Sequence, residues 1–167
     1  MAVMAMFDRR LFLLTTAALA ACGGRTEAAS RAETAFAGTP ERKLTDAQWK
    51  QRLSPAAYRV LRKEGTERAG SSPLDREKRR GTFVCAGCEL PLFKSEWKFD
   101  SGTGWPSFYT AIKQNIGTKK DLVMLIPRTE YHCARCLGHQ GHVFNDGPQP
   151  TGLRYCNNGA ALRFVAA

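Results

Sequence analysis

The sequence predicts a mainly β domain of antiparallel strands, preceded by short helices and organised around a four-cysteine metal site. Three observations carry this expectation. After Gly81 the chain breaks into short extended runs, GTFVC, KFDS, DLVMLIP, TEYHC, HVFND, LRYC and ALRFV, separated by Gly, Pro, Asn and Asp. Two matched pairs, Cys85-Ala86-Gly87-Cys88 and Cys133-Ala134-Arg135-Cys136, lie at the ends of such runs. The chain's 167 residues, 43% hydrophobic and 10% aromatic, suit one domain with its own core and argue against disorder.

Residues 1–21 read as an export signal. Arg9 and Arg10 form a twin-arginine pair before the apolar stretch Leu11 to Ala21, which is too short to cross a hydrocarbon core of about 30 Å. Leu19 to Cys22, LAAC, resembles the lipobox of bacterial lipoproteins, whose cysteine is acylated and becomes the new N-terminus. The alternative is that Cys22 is an incidental residue of an ordinary signal. The twin-arginine route carries folded proteins, which suits a domain whose thiols are loaded with metal in a reducing cytoplasm. The expected location is therefore outside the cytoplasm, on the periplasmic side, held to a membrane through lipid. Residues 22–42, rich in Gly, Ala, Ser and Thr, read as a flexible tether, and residues 43–167 as the domain.

Two helices are expected first. In LTDAQWKQRL, Thr45 is the cap, with Leu44, Ala47 and Leu53 apolar; in SPAAYRVLRKEG, Ser54 is the cap and Pro55 the first helical residue. Ala57, Val60 and Leu61 share one face of the second helix, and Gly65 ends it. The run DLVMLI, Asp121 to Ile126, reads as a strand buried on both faces and stopped by Pro127.

The net charge of +10 is uneven. From Lys43 to Arg80 eleven Lys or Arg stand against five Asp or Glu, a net of +6. A solvated basic face is the plain reading, and an anionic partner such as nucleic acid or lipid the alternative.

The cysteine pairs are separated by 44 residues. Each C-x2-C makes a turn with two thiolates aimed at one ion, and two turns complete a closed tetrahedral Zn2+ site of Cys85, Cys88, Cys133 and Cys136. Two disulfides, or a reactive redox pair, remain alternatives for an exported chain. A set of Cys133, Cys136, His139 and His142 would crowd one ion and strand Cys85 and Cys88. The histidines are thus free for other work. Cys156 stands alone in RYCNNG, either as a nucleophile activated by nearby positive charge or as an inert buried thiol.

Four motifs in order, CAGCELPLF (85–93), KFDSGTGWPSFY (98–109), HCARCLGHQGHVFNDGP (132–148) and GLRYCNNGAALRF (152–164), closely resemble the B-type methionine-R-sulfoxide reductases (the MsrB/SelR family). The resemblance spans about Leu44 to Phe164. It implies two antiparallel β-sheets in a β-tent, and an enzyme that reduces oxidised methionine in peptides or proteins. Cys156 aligns with the family's nucleophile. His142, with His139, would orient water or protonate the leaving oxygen, and Asn158 would position substrate or water. Trp105 would cradle the sulfoxide methyl, while Arg154 and Asp146 would tune the field at the substrate.

Two residues depart from the family pattern. Thr103 stands where many relatives carry the cysteine that resolves the sulfenic acid, so an external thiol reductant, thioredoxin-like or other, should reset Cys156. Asn157 stands where an aliphatic residue is common. Competing readings are a basic zinc-ribbon module for nucleic acid or lipid and an exported redox scaffold. The first leaves GWPSF, the histidines and Cys156 unexplained, and export removes most nucleic acid from reach.

Overall fold

Two short helices, each opened by a side-chain cap, lead into the sheets. The computed structural model describes residues 31–122 and 127–167. Helix α1, Asp46–Arg52, starts with a capping box: Thr45 Oγ1 accepts from Gln48 N–H, and Gln48 Oε1 accepts from Thr45 N–H. Trp49 within it and Leu53 at its C-cap are the buried anchors, whereas Ala47, one of the apolar residues noted in the sequence, is exposed. On so short a helix the indole's far larger apolar area decides which side faces the core. Helix α2, Pro55–Lys63, is capped by Ser54 and buries Ala57, Val60 and Leu61, as the pattern predicts. Its end falls at Glu64, whose φ of 54° is left-handed, one residue ahead of the expected Gly65.

Nine strands follow among the described residues: β1 Gly81–Cys85, β2 Pro91–Lys94, β3 Lys98–Phe99, β4 Ser107–Phe108, β5 Ile116–Asp121, β6 Arg128–Cys133, β7 His139–Phe144, β8 Arg154–Asn157 and β9 Leu162–Ala166. All pair antiparallel, in a three-stranded sheet β2-β1-β9 and a six-stranded sheet β3-β4-β8-β7-β6-β5. The mainly β, two-sheet fold class is therefore as the sequence predicts. The strand expected over Asp121 to Ile126 differs. Strand β5 ends at Asp121 and Leu122 is 69% exposed, so the buried stretch does not begin there; Val123 to Ile126 lie outside the described residues. Strand β5 itself, IGTKKD, escapes a hydrophobicity pattern because it is an edge strand with lysines facing water.

The sheets meet across an aromatic core. Phe83 and Phe93 from the smaller sheet pack on Phe108, Tyr131 and Tyr155 from the larger one. Phe93 stacks on Phe108 with centroids 4.1 Å apart, and Tyr131 meets Tyr155 edge-on at 5.2 Å. A second tie lies outside the core, in the span expected to act as a tether. There Ala32 is buried, Arg135 lies over the Phe36 ring, and Arg42 donates through Nε to Arg135 O and through Nη2 to Ala134 O. The packed part of the chain thus begins upstream of Lys43, and it fastens the outside of the second cysteine turn.

Candidate active site and metal centre

The two cysteine turns are built alike. Glu89 and Leu137, each following the second cysteine of its pair, donate their N–H to the carbonyl of the first cysteine, at 2.8 and 2.9 Å. Cys85 and Cys133 N–H then bond to Leu90 and Gly138 carbonyls, at 2.9 and 3.0 Å. Glu89 and Leu137 both adopt left-handed φ, 62° and 58°, a conformation non-glycine residues enter only when their surroundings hold them there. One turn extends from β1, the other from β6, so the cluster joins the two sheets.

All four cysteines are buried, and their sulfurs lie within 4.8 Å of one another. Cys85 Sγ is 3.6 Å from Cys136 Sγ, and Cys88 Sγ is 3.4 Å from Cys133 Sγ. A tetrahedron with Zn–S bonds of about 2.3 Å has edges of about 3.8 Å, whereas a disulfide needs about 2.05 Å. The spacing fits a shared ion and excludes disulfides among the described cysteines, all of which are free. Hydrogen bonds to the other three thiols, Cys133 first, push the Cys85 thiol well up. Ionising all four therefore calls for a cation between them. The rival set containing His139 and His142 is not assembled.

Strand register assembles the second site. Successive residues of a strand point to opposite faces, so His139 and His142, three apart, would ordinarily diverge. Strand β7, however, pairs Gly141 with Tyr131 and His139 with His132, leaving Gln140 as an extra residue. This bulge returns His139 to the face of His142, and their ring centroids are 5.5 Å apart. Across β8, Cys156 lies opposite His142, and on its other side Ser107 of β4 lies opposite Cys156.

A cavity of ≈ 130 Å³ opens at Cys156, lined by Trp105, His142 and Asn158 together with Thr66, Arg128 and Phe144. Four residues singled out in the sequence thus converge. Trp105 is oriented by Nε1–H donating to Glu67 O at 3.2 Å. Asn158 is largely committed to the backbone: its Nδ2 donates to Gln140 O at 3.0 Å, and its Oδ1 accepts from Glu67 N–H at 2.9 Å. His142 Nε2 is 2.7 Å from Asp121 Oδ2, an oxygen shared with Arg128 Nη2 at the same distance. Burial lowers the pKa of His142 despite this carboxylate, which keeps the imidazole neutral near pH 7.

His139, expected beside His142 at the reacting oxygen, does not line the cavity. It is 3% exposed, with Nδ1 3.0 Å from Glu130 Oε1 but off the hydrogen-bond axis. Burial alone would raise the Glu130 pKa, but His139 and Lys119 hold the carboxyl low. Arg154 and Asp146 form a fork, Nε to Oδ1 at 2.9 Å and Nη2 to Oδ2 at 2.8 Å, beside the cavity rather than in its wall. The guanidinium also stacks on Phe144, 4.4 Å from the ring centroid. Burial pushes the Cys156 thiol up, while Arg154 and the Thr103 hydroxyl favour its thiolate. Thr103 is held in turn by Ser101 Oγ at 2.8 Å, which also bonds Ser107 Oγ at 2.8 Å.

Asn157, the other departure, is fully buried on the core face. It accepts from Tyr131 Oη at 2.7 Å and donates to Asn158 O at 2.7 Å, so its polarity is satisfied. Glu67 was not visible as a site residue in the sequence, where it sits inside the basic run. Its carboxylate accepts from Gly159 and Ala160 N–H, at 2.7 and 2.8 Å, and its main chain holds Trp105 and Asn158. Arg128 and Asp121 were missed for the same reason: nothing in their neighbourhood distinguishes them from surface charges.

Residues 53–166 match the family model described as the SelR domain. A protein of Thiobacillus denitrificans called peptide methionine sulfoxide reductase MsrB is 54% identical over 121 residues, 72% of this chain and 92% of its own length. The protein of the same name from Leptospira interrogans is 51% identical, with the same coverage. The chloroplastic peptide methionine sulfoxide reductase B1 of Arabidopsis thaliana is 51% identical over 124 residues, 74% of this chain and 61% of the plant protein.

Alkylation of Cys156 by iodoacetamide requires the thiolate, so its rate should rise with pH and reach half-maximum above the ordinary thiol range of about 8.5. Thr103→Val and Arg154→Met each remove a group that favours the thiolate, and each should move the midpoint further up. A midpoint below that of a free thiol, or one indifferent to both substitutions, would contradict the balance described.

Proposed function

Because this chain belongs to the SelR family, whose relatives named above are peptide methionine sulfoxide reductases, we propose that it is a peptide-methionine (R)-S-oxide reductase. The observation that carries the reading is the convergence of Trp105, His142 and Cys156 on one small cavity. An indole face excludes water and suits a polarizable S-methyl group, an imidazole can move a proton, and a thiolate can attack sulfur.

The Cys156 thiolate attacks the sulfoxide sulfur while a proton passes to the sulfoxide oxygen. With Nε2–H held by Asp121, the neutral His142 ring presents Nδ1 as a base, which suits it to take the proton released by the Cys156 thiol and pass it to the sulfoxide oxygen. The oxygen moves from substrate to enzyme: thiol and sulfoxide become sulfenic acid and methionine thioether, two electrons passing from cysteine to substrate. Arg154, fixed by Asp146, favours the thiolate without needing to touch substrate. Asn158 acts on the loop geometry more than on the reacting atoms, given where its amide is spent. Two external thiols then reduce the sulfenic acid to thiol, yielding a disulfide of the reductant and water. Thr103 beside Cys156 supports this route, because a hydroxyl cannot condense to a disulfide.

The four-cysteine cluster suits a structural Zn2+, held by Cys85, Cys88, Cys133 and Cys136. Such an ion would supply no redox chemistry; it would clamp the smaller sheet, through the turn after β1, to the larger sheet that carries the site, through the turn after β6. The twin-arginine pair and LAAC motif support export and acylation at Cys22, and both lie outside the described residues. No helix among the described residues is long and apolar enough to cross a membrane. If Cys22 carries lipid, the wild-type protein partitions with membranes and Cys22→Ala is released to the soluble fraction; equal partitioning would refute the anchor.

Purified, reduced protein should convert the R epimer of N-acetyl-methionine sulfoxide and leave the S epimer untouched. Cys156→Ser should abolish turnover, and Trp105→Ala should lower kcat/KM by at least about tenfold, the loss of roughly 1.4 kcal/mol of transition-state binding. Full turnover by the Ser variant would rule out Cys156 as the nucleophile.

A further inference from the structure

Gln140 is the extra residue of the β7 bulge, and it is fully buried. Its side-chain Nε2 donates to Cys85 Sγ at 3.4 Å. Apart from the cysteines themselves, it is the one side chain among the described residues that hydrogen-bonds a cluster sulfur. Its main-chain oxygen faces the other way and accepts from both Asn158 N–H and Asn158 Nδ2, at 2.9 and 3.0 Å. One residue therefore touches the metal cluster with its side chain and the loop after Cys156 with its backbone.

We propose that Gln140 is a positioning residue that helps the four-cysteine cluster retain its metal and ties the cluster to the Asn158 loop. Four thiolates around a divalent ion leave a net charge of −2 in a buried place, and an N–H donor to sulfur disperses part of it. The side chain's other polar atom points to the same purpose. Oε1 is buried without a partner, which costs stability that an apolar side chain of similar size would not incur. A glutamine kept there against local stability is accounted for by what its amide donates to.

The inference rests on the cluster binding a metal ion. Its test uses the zinc-loaded and cobalt-loaded full-length protein, wild type against Gln140→Leu and the volume-conserving Gln140→Met. Zinc release to a metallochromic chelator should be about tenfold faster in both variants. The sulfur-to-cobalt charge-transfer band should shift, a signature that altered packing alone would not move. Amide exchange at Asn158, followed by NMR, should accelerate as the bulge loosens. At the same time, unfolding midpoints should be unchanged or raised in the variants, because the orphaned oxygen is gone. Release rates and band energies equal to wild type would overturn the role at the metal, and unaltered Asn158 exchange would overturn the link to the loop. A wild-type protein that takes up no stoichiometric ion would instead overturn the metal reading and this inference with it.

Discussion

The close approach of β7 to β8 at Gly141 is the constraint on which the site depends. A Cβ at that position would lie 1.9 Å from the Cys156 carbonyl oxygen, so only glycine lets the strands pair at this point. That pairing sets His142 against Cys156 and Val143 against Tyr155, which sends the reactive side chains to one face and the aromatic ones to the core. A one-residue slip would exchange the two faces, burying Cys156 and exposing Tyr155. The chemistry of the site and the packing of the core are thus two consequences of one register.

The bulge at Gln140 extends this constraint in two directions. It brings His139 behind His142, where the buried Glu130 carboxylate lies between His139 and the solvent-facing Lys119, and it ties the cluster to the Asn158 loop. On the far side, Glu67 closes the same loop by accepting from Gly159 and Ala160 and holding Trp105 through its carbonyl. The cavity wall is therefore drawn from five separate stretches of the chain, at Thr66, Trp105, Arg128, Gly141 to Phe144 and Cys156 to Asn158. None of them could hold Trp105, His142 and Cys156 together alone.

How much was legible in the sequence follows from the range of each interaction. Caps at Thr45 and Ser54, the two C-x2-C turns and the lone Cys156 are local or have distinctive chemistry, and the structure places them as read. That Trp49 and not Ala47 anchors the first helix, and that the second helix ends at Glu64 and not Gly65, was decided by tertiary packing. Glu67, Arg128 and Asp121 act across the fold and carry no local mark, so they read as ordinary surface charge. The bulge was equally hidden, because a strand's extra residue is defined only by its partner, and with it the reason that two histidines three apart could share a face.

The cysteines divide their labour by environment. Four are drawn into a buried cluster where only a cation would permit their ionisation, while Cys156 stands half-buried at a cavity with an arginine and a hydroxyl beside it. The Thr103 hydroxyl favours the Cys156 thiolate but supplies no second sulfur, so in the proposed mechanism the first half of the reaction leaves an oxidised residue that waits for an outside thiol. That state can be observed directly. After one turnover on an R-sulfoxide substrate without reductant, dimedone trapping and peptide mass spectrometry should find the sulfenic acid adduct on Cys156, with Cys85, Cys88, Cys133 and Cys136 still reduced. A disulfide between Cys156 and any other cysteine of the chain would contradict this account.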